Sequence, residues 1–394
     1  MSNVIDESII FKPIINKNFF SIKNAKNICK INIIQKLLYF LMFFFILIII
    51  ESIFFYNKLS YIEKQILKVM QHKDKSKNYK SSYNKILNNI IDENYSFFNQ
   101  EINDKYLDSQ NYFCDNQNQL YNKIFEDKIL LIDIKYKDKI YNMFVYKKLD
   151  VVSRHLINYK VWEPVETNNL INALDFFSNK KKIKNSDIYI IDIGANIGWY
   201  SFLLGKYGYK IISFEPSKIN NYILKKTFCL NRELNLTIIN KGLHIEDKKC
   251  VLFNSGRNEG NGHIYCNKSQ IVLNSSLKSR EIILTKLSNY LPFFNKNKNL
   301  ALIKLDVEGS EGKVIEGGIE LITKFHVPFI FLEFTPSYLK KYGTEPKQLL
   351  QLFADNGYKI STLNFFNNFI SVDDIIRKNY LQINLYIVHS SILK

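Results

Sequence analysis

The stretch IIDIGANIGWYS, Ile190–Ser201, decides the fold. A β-branched run ends in an acid, a turn bearing Gly194 and Gly198 follows, and an aromatic helix start comes next. The two glycines permit tight turning and close backbone approach, and Asn196 between them can support a loop through its side chain. A dinucleotide loop of the GxGxxG type would need glycines at positions 194, 196 and 199, where the chain has Gly194, Asn196 and Trp199. A pyrophosphate cradle is therefore disfavoured.

Working outward, short β-branched and aromatic runs alternate with helical stretches. IYIID at Ile188, KIISFE at Lys210, LTIIN at Leu236, ALIKLD at Ala301 and PFIFLE at Pro328 read as strands. Helices are predicted at Gly198–Tyr207, Lys218–Arg232, Glu311–Lys324 and Pro346–Asn356, with a closing pair of strands in YKISTL from Tyr358 and LQINLYIV from Leu381. Alternation of this kind gives an α/β fold, a mostly parallel sheet with helices on both faces. Ahead of it, Ile129–Tyr146 breaks around Asp138 and reads as a hairpin.

Asp192, Glu215, Asp306 and Glu333 each close one of these runs. In an open parallel sheet such positions fall at the carboxyl ends of strands, where ligands bind. A single such acid is as readily a helix cap or a surface residue. A row of them repels pyrophosphate but suits a ligand with a cationic centre and ribose hydroxyls, as in S-adenosylmethionine with its sulfonium, ammonium and diol. Lys304, Asp306 and Glu308 alternate at strand period and project to one side if the extended backbone continues through Glu308. Lys304 is then either a structural ion-pair partner of Glu333 or Asp192, or part of the site.

DIGANIGWYS, FEP at Phe214, the helix end at Asn231, IKLDVEGSE at Ile303–Glu311 and FLE ending at Glu333 together resemble the FkbM family of S-adenosylmethionine-dependent methyltransferases. The likeness runs from VSRHLINYKVWE, after Asp150, to near Val388. It implies a class I methyltransferase fold and methyl transfer to a hydroxyl oxygen, often on a sugar or polyketide. By the same resemblance Asp192, Gly194, Asn196, Gly198 and Glu215 bind the cofactor, and Asp306 and Glu308 lie on the DVEG motif. A carboxylate there can accept the acceptor's proton, so these two are the candidate catalytic residues. No ligand spacing calls for a metal, although the acidic rim could bind one. One departure stands out: TKLSNY, Thr285–Tyr290, has Ser288 and Asn289 where the family shows acids. That opens the alternative of a cofactor-binding or membrane-tethered interaction protein with reduced catalysis. The glycine-bearing stretch Asn254–Ser279 is either a substrate-side loop or a plain connection.

The N-terminal third has a different organisation. LLYFLMFFFILIII, Leu37–Ile50, is uncharged, and apolar residues resume after Glu51 as far as Tyr56. Apolar on all faces and about 20 residues long, this segment is predicted to span a membrane. Lysines are denser before it than after it, which places the N-terminus in the cytoplasm and the rest in a lumen, that of the endoplasmic reticulum or Golgi. The expected organisation is thus a cytoplasmic tail over 1–36, a single-pass transmembrane helix over 37–56, a stem over 57–122 and the methyltransferase domain over 123–394. Its expected partners are the bilayer and a hydroxyl-bearing acceptor, a glycan by the family resemblance.

Net charge is +17 over 394 residues, yet no Arg/Lys cluster with interleaved aromatics forms a nucleic-acid groove, so none is expected to bind. Of the cysteines, Cys114, Cys229, Cys250 and Cys266 follow the span. They make two disulfides or remain ordinary buried thiols.

Overall fold

The computed structural model describes residues 109–115, 126–148, 150–254, 258, 262–266, 278–294 and 299–394. All lie in one unit, Ile91–Lys394. The tail, the expected span over 37–56 and the stem as far as residue 108 fall outside the described residues. Among the described residues no helix is long and apolar enough to cross a membrane.

A hairpin comes first, β1 (Ile129–Tyr136) and β2 (Lys139–Tyr146), paired from Ile129↔Tyr146 to Tyr136↔Lys139 around Lys137 and Asp138. Helices α1 (Val151–Tyr159) and α2 (Pro164–Lys181) follow. The main sheet takes β3 (Ile188–Ile193), β4 (Lys210–Phe214), β5 (Leu236–Ile239), β10 (Asn299–Leu305), β11 (Phe329–Phe334), β12 (Tyr358–Ser361) and β13 (Ile383–His389) in the order β12-β13-β11-β10-β3-β4-β5. β5, β4, β3, β10 and β11 run parallel, while β13 is antiparallel to both β11 and β12.

The strand order reverses between β3 and β10, and that switch point is where ligands bind in sheets of this kind. Along β3, Ile188 and Ile190 enter one core with Phe202 and Leu203 of α3 (Trp199–Lys206) and Ile223 of α4 (Lys218–Cys229). Ile191 and Ile193 enter the other with Val314 and Leu321 of α5 (Glu311–Phe325) and Phe353 of the helix Pro346–Asp355. Period-two alternation into two apolar layers is why β3 reads as a continuous hydrophobic run.

A second sheet, absent from the sequence reading, sits between β5 and β10 in the chain. It comprises β6 (Gly242–Leu243), β7 (Lys248–Asn254), β8 (His263–Tyr265) and β9 (Lys278–Thr285) in the order β6-β9-β7-β8. The Cys250–Cys266 disulfide ties β7 to the residue after β8. A second disulfide, Cys114–Cys229, joins the helical residues 109–115 to the end of α4. Beside it the Gln110 side chain donates to the Leu236 carbonyl and accepts from Ile238 N–H, satisfying the outer edge of β5 as a further strand would.

The extended backbone expected through Glu308 ends at Leu305. Glu308 and Gly309 take φ of 57° and 102°, a left-handed turn that lets the chain enter α5.

Candidate active site

A cleft of about 660 Å³, open mouth included, lies at the carboxyl ends of β3, β4 and β10. Gly194, Asn196 and Glu215 line one side and Asp306, Val307 and Glu308 the other, while Leu252, Gly262 and Ile264 of the small sheet form a wall. Asp192 and Gly198 do not line it.

The turn after β3 presses against the end of β10. Gly194 has φ 76°, and a Cβ there would lie 1.8 Å from the Asp306 carbonyl oxygen, so only glycine fits. Its N–H and that of Ala195 donate to the Phe214 carbonyl at 3.0 and 3.1 Å, holding the turn against β4. Gly198, at φ 98°, faces Phe202 and Leu224 and serves as the N-cap position of α3.

Glu215 is 5% exposed and accepts from Asn196 N–H at 2.9 Å and Ser217 N–H at 2.8 Å. Burial pushes its carboxyl up to about 7 against the pull of these two amides. Asn196, left-handed at φ 52°, has its side-chain oxygen buried without a hydrogen-bond partner in the protein.

Asp192 is buried behind the cleft, where it accepts from Ser201 Oγ at 2.5 Å and lies 3.9 Å from Lys304 Nζ. Of the two ion pairs open to Lys304 from the sequence, this is the one that forms. Burial raises the Asp192 carboxyl, and the Lys304 charge opposes that.

Asp306, Glu308 and Glu333 each bring a carboxylate oxygen to within 4.8 Å of the others. Burial, and then the charges of Asp306, Glu308 and Glu311, push Glu333 well above the usual carboxylate range. Gln382 donates to it. Glu311 accepts from Val307 N–H at 3.0 Å and Gly309 N–H at 3.1 Å and thereby fixes the turn that carries Glu308.

Sequence reasoning missed Glu163, quoted only as the end of VSRHLINYKVWE. It precedes Pro164 at φ 43° and accepts from the Tyr200 hydroxyl at 2.6 Å. Burial raises its carboxyl, the Tyr200 bond opposes this, and the Asp306 and Lys304 charges act on it from the rim. Its signal was the Glu-Pro pair opening α2. Ser288 and Asn289 lie elsewhere: Ser288 Oγ donates to the Gly317 carbonyl at 2.8 Å, and Asn289 Nδ2 contacts both Asp247 oxygens at 3.1 Å.

Residues 192–360 match the family described as the methyltransferase FkbM domain. No curated protein matches. Among solved structures, the chain is similar to the bifunctional kinase-methyltransferase WbdD, at 10% identity and TM-score 0.33 over 57% of this chain and 39% of that one. It is also similar to the magnesium protoporphyrin IX methyltransferase ChlM of Synechocystis PCC 6803 with bound SAM, at 10% identity and TM-score 0.32 over 72% of this chain and 96% of that one. Likenesses this remote say nothing about substrate.

Proposed function

The chain carries a methyltransferase FkbM domain over residues 192–360, and from that premise we propose that it moves a methyl group from S-adenosylmethionine to a hydroxyl of a glycan or glycoconjugate. The observation that carries this reading is the cleft at the strand-order reversal, with Glu215 on one side and Asp306 and Glu308 on the other. Glu215, already oriented by two amides, accepts the ribose hydroxyls; Gly194 and Asn196 leave backbone room beside them. Asp192 and Gly198 contribute from behind, by anchoring α3 and the turn. The acidic rim draws the sulfonium and ammonium, which a phosphate-rich ligand would not match.

Methyl transfer needs in-line approach of the acceptor oxygen to the sulfonium carbon and loss of the hydroxyl proton. Asp306 or Glu308, both on the cleft, accepts that proton.

The anchor over 37–56, with the catalytic domain lumenal, belongs to the same proposal. The two disulfides support it, since such bonds persist in oxidising compartments. Two experiments test it. Full-length protein incubated with methyl-labelled S-adenosylmethionine and a glycan pool should place label on sugar hydroxyls, and label confined to nitrogen or carbon would overturn the acceptor class. Protease added to sealed microsomes should spare the domain, and digestion without detergent would reverse the topology.

A further inference from the structure

The wall that the small sheet gives the cleft is held unequally across its width. β7 pairs with β9 from Lys248↔Leu284 to Asn254↔Lys278, but with β8 only at Val251↔Tyr265, Leu252↔Ile264 and Phe253↔His263. β8 is the edge strand of this sheet. Yet it carries much of the wall, since Ile264 lies in it and Gly262 directly before it, with Leu252 of β7 beside them.

So short an edge strand gains few ladder bonds against the entropy of ordering its backbone. The core beneath the sheet is small as well, Cys250, Leu252, Ile282 and Leu284, with Ile264 and Cys266 packed against it. The Cys250–Cys266 bond therefore joins the weakly paired strand to the well-paired one. From outside the sheet, β8 meets the aromatic rings of Tyr338 and Tyr342, which lie 5.6 and 6.4 Å from His263. Cys250 is 3% exposed, whereas Cys266 is partly exposed, so one sulfur of the pair is open to attack from solvent.

We propose that the Cys250–Cys266 disulfide is a thiol–disulfide exchange site for a dithiol reductant, and that its oxidation state decides whether β8 stands in the cleft wall. A thiolate of the reductant attacks Cys266 Sγ and forms a mixed disulfide, while Cys250 leaves as a thiolate and takes up a proton. The reductant's second thiolate then attacks its own sulfur in the mixed disulfide. Cys266 leaves and is protonated in turn, and the reductant departs as a disulfide. Two electrons and two protons thus pass to the protein. The loop between cysteines 16 residues apart is then open, and states with β8 detached, absent while the loop was closed, become accessible. Cys114–Cys229 joins residues 109–115 to the end of α4, so its reduction leaves β8 tied.

The test titrates full-length protein with dithiothreitol, with thiol labelling and peptide mass spectrometry to give the state of each disulfide. Amide exchange reads the wall, and calorimetry with S-adenosylmethionine reads the cleft; only the second rests on the cofactor reading. Reduction of Cys250–Cys266 should speed exchange at residues 251–253 and 263–265. It should weaken binding about ten-fold, as expected if the wall is then in place about one-tenth of the time. Re-oxidation should restore both. Cys250→Ala/Cys266→Ala should start in the weakened state and no longer respond to dithiothreitol. If that variant fails to fold, Cys114→Ser/Cys229→Ser, which keeps only Cys250–Cys266 of the two disulfides, should respond as wild type does. Unchanged exchange at β8 after full reduction would overturn the proposal, as would unchanged affinity in protein that binds the cofactor, or a bond that dithiothreitol cannot reduce in the folded chain. Wild type that binds no S-adenosylmethionine in either state would sink the cofactor reading, and the exchange measurement alone would then decide the proposal.

Discussion

Glu215 and Asp306 face the same cleft from opposite sides of the strand-order reversal, yet they are held in opposite ways. Glu215 stands in a nest of backbone amides, Asn196 N–H and Ser217 N–H, which orient it whatever its charge. Asp306 depends on a side chain, Lys304, and shares its surroundings with Glu308, Glu311, Glu333 and Glu163. Backbone donors give a geometry that tolerates side-chain change elsewhere. A carboxylate cluster gives charge that responds to each neighbour. The first arrangement suits a cofactor bound the same way in every cycle, and the second suits the step in which a proton moves.

The largest effects should come from the crowded side. Replacing the proton acceptor, as Asp306→Asn or Glu308→Gln, should slow turnover by about 100-fold to 10,000-fold while cofactor affinity changes little. Single-turnover kinetics with calorimetry separates the two roles. If Asp306→Asn instead weakens cofactor binding, Asp306 holds the methionyl ammonium and Glu308 is the base. Wild-type turnover in both variants would show that the division of labour drawn between the two sides is wrong.

On the amide side the effect is smaller and pH-dependent. With its carboxyl lifted to about 7, Glu215 is partly protonated in the empty cleft at neutral pH, whereas ribose hydroxyls donate to the ionised form. Binding should therefore release protons near pH 7, and affinity should rise as pH rises through that value. Calorimetry in buffers of different ionisation enthalpy reads the release directly. Glu215→Gln should lose about ten-fold in affinity at alkaline pH and flatten the curve, consistent with loss of charge-assisted hydrogen bonds. A wild-type affinity independent of pH would remove Glu215 from the ribose.

The two sides were also unequally legible. The turn at Gly194 and the acid at Glu215 could be read because each belongs to a local pattern, an apolar run ended by a small residue or an acid. Asp306 was visible for the same reason. Glu308 was placed on the correct side of the cleft but by the wrong backbone: strand period does not survive the left-handed turn that Gly309 helps to make. Glu163 was hidden because its partner, Tyr200, belongs to another helix, and only packing brings them together. Within the small sheet β6 and β8 escaped notice because they are two and three residues long, too short for period-two alternation to show. Helix α2 carries a buried stripe at Leu170, Ile171, Leu174 and Phe177, but Asn168, Asn169, Asn172 and Asn179 in and around it dilute its pattern.

The smallest expected effect concerns Ser288 and Asn289, where the sequence departs from the family it resembles. Both sit in the 3-10 helix Leu287–Phe293, and neither lines the cleft. Ser288 caps the Gly317 carbonyl, and Asn289 bridges to Asp247, so an acid is already present beside them, supplied from the loop before β7. Asn289→Asp would set two carboxylates against each other and cost about 1 kcal/mol of stability; Ser288→Ala removes one hydrogen bond at a similar cost. Cofactor affinity and turnover should stay within about two-fold, because mutations at separate sites with no shared partner act independently. Restoring both acids as Ser288→Asp/Asn289→Asp tests the opposite view, in which their loss has weakened catalysis. A tenfold gain in turnover or affinity from that double variant would make this segment part of the site, and the contrast between the amide-held and the acid-crowded sides would then need a third partner.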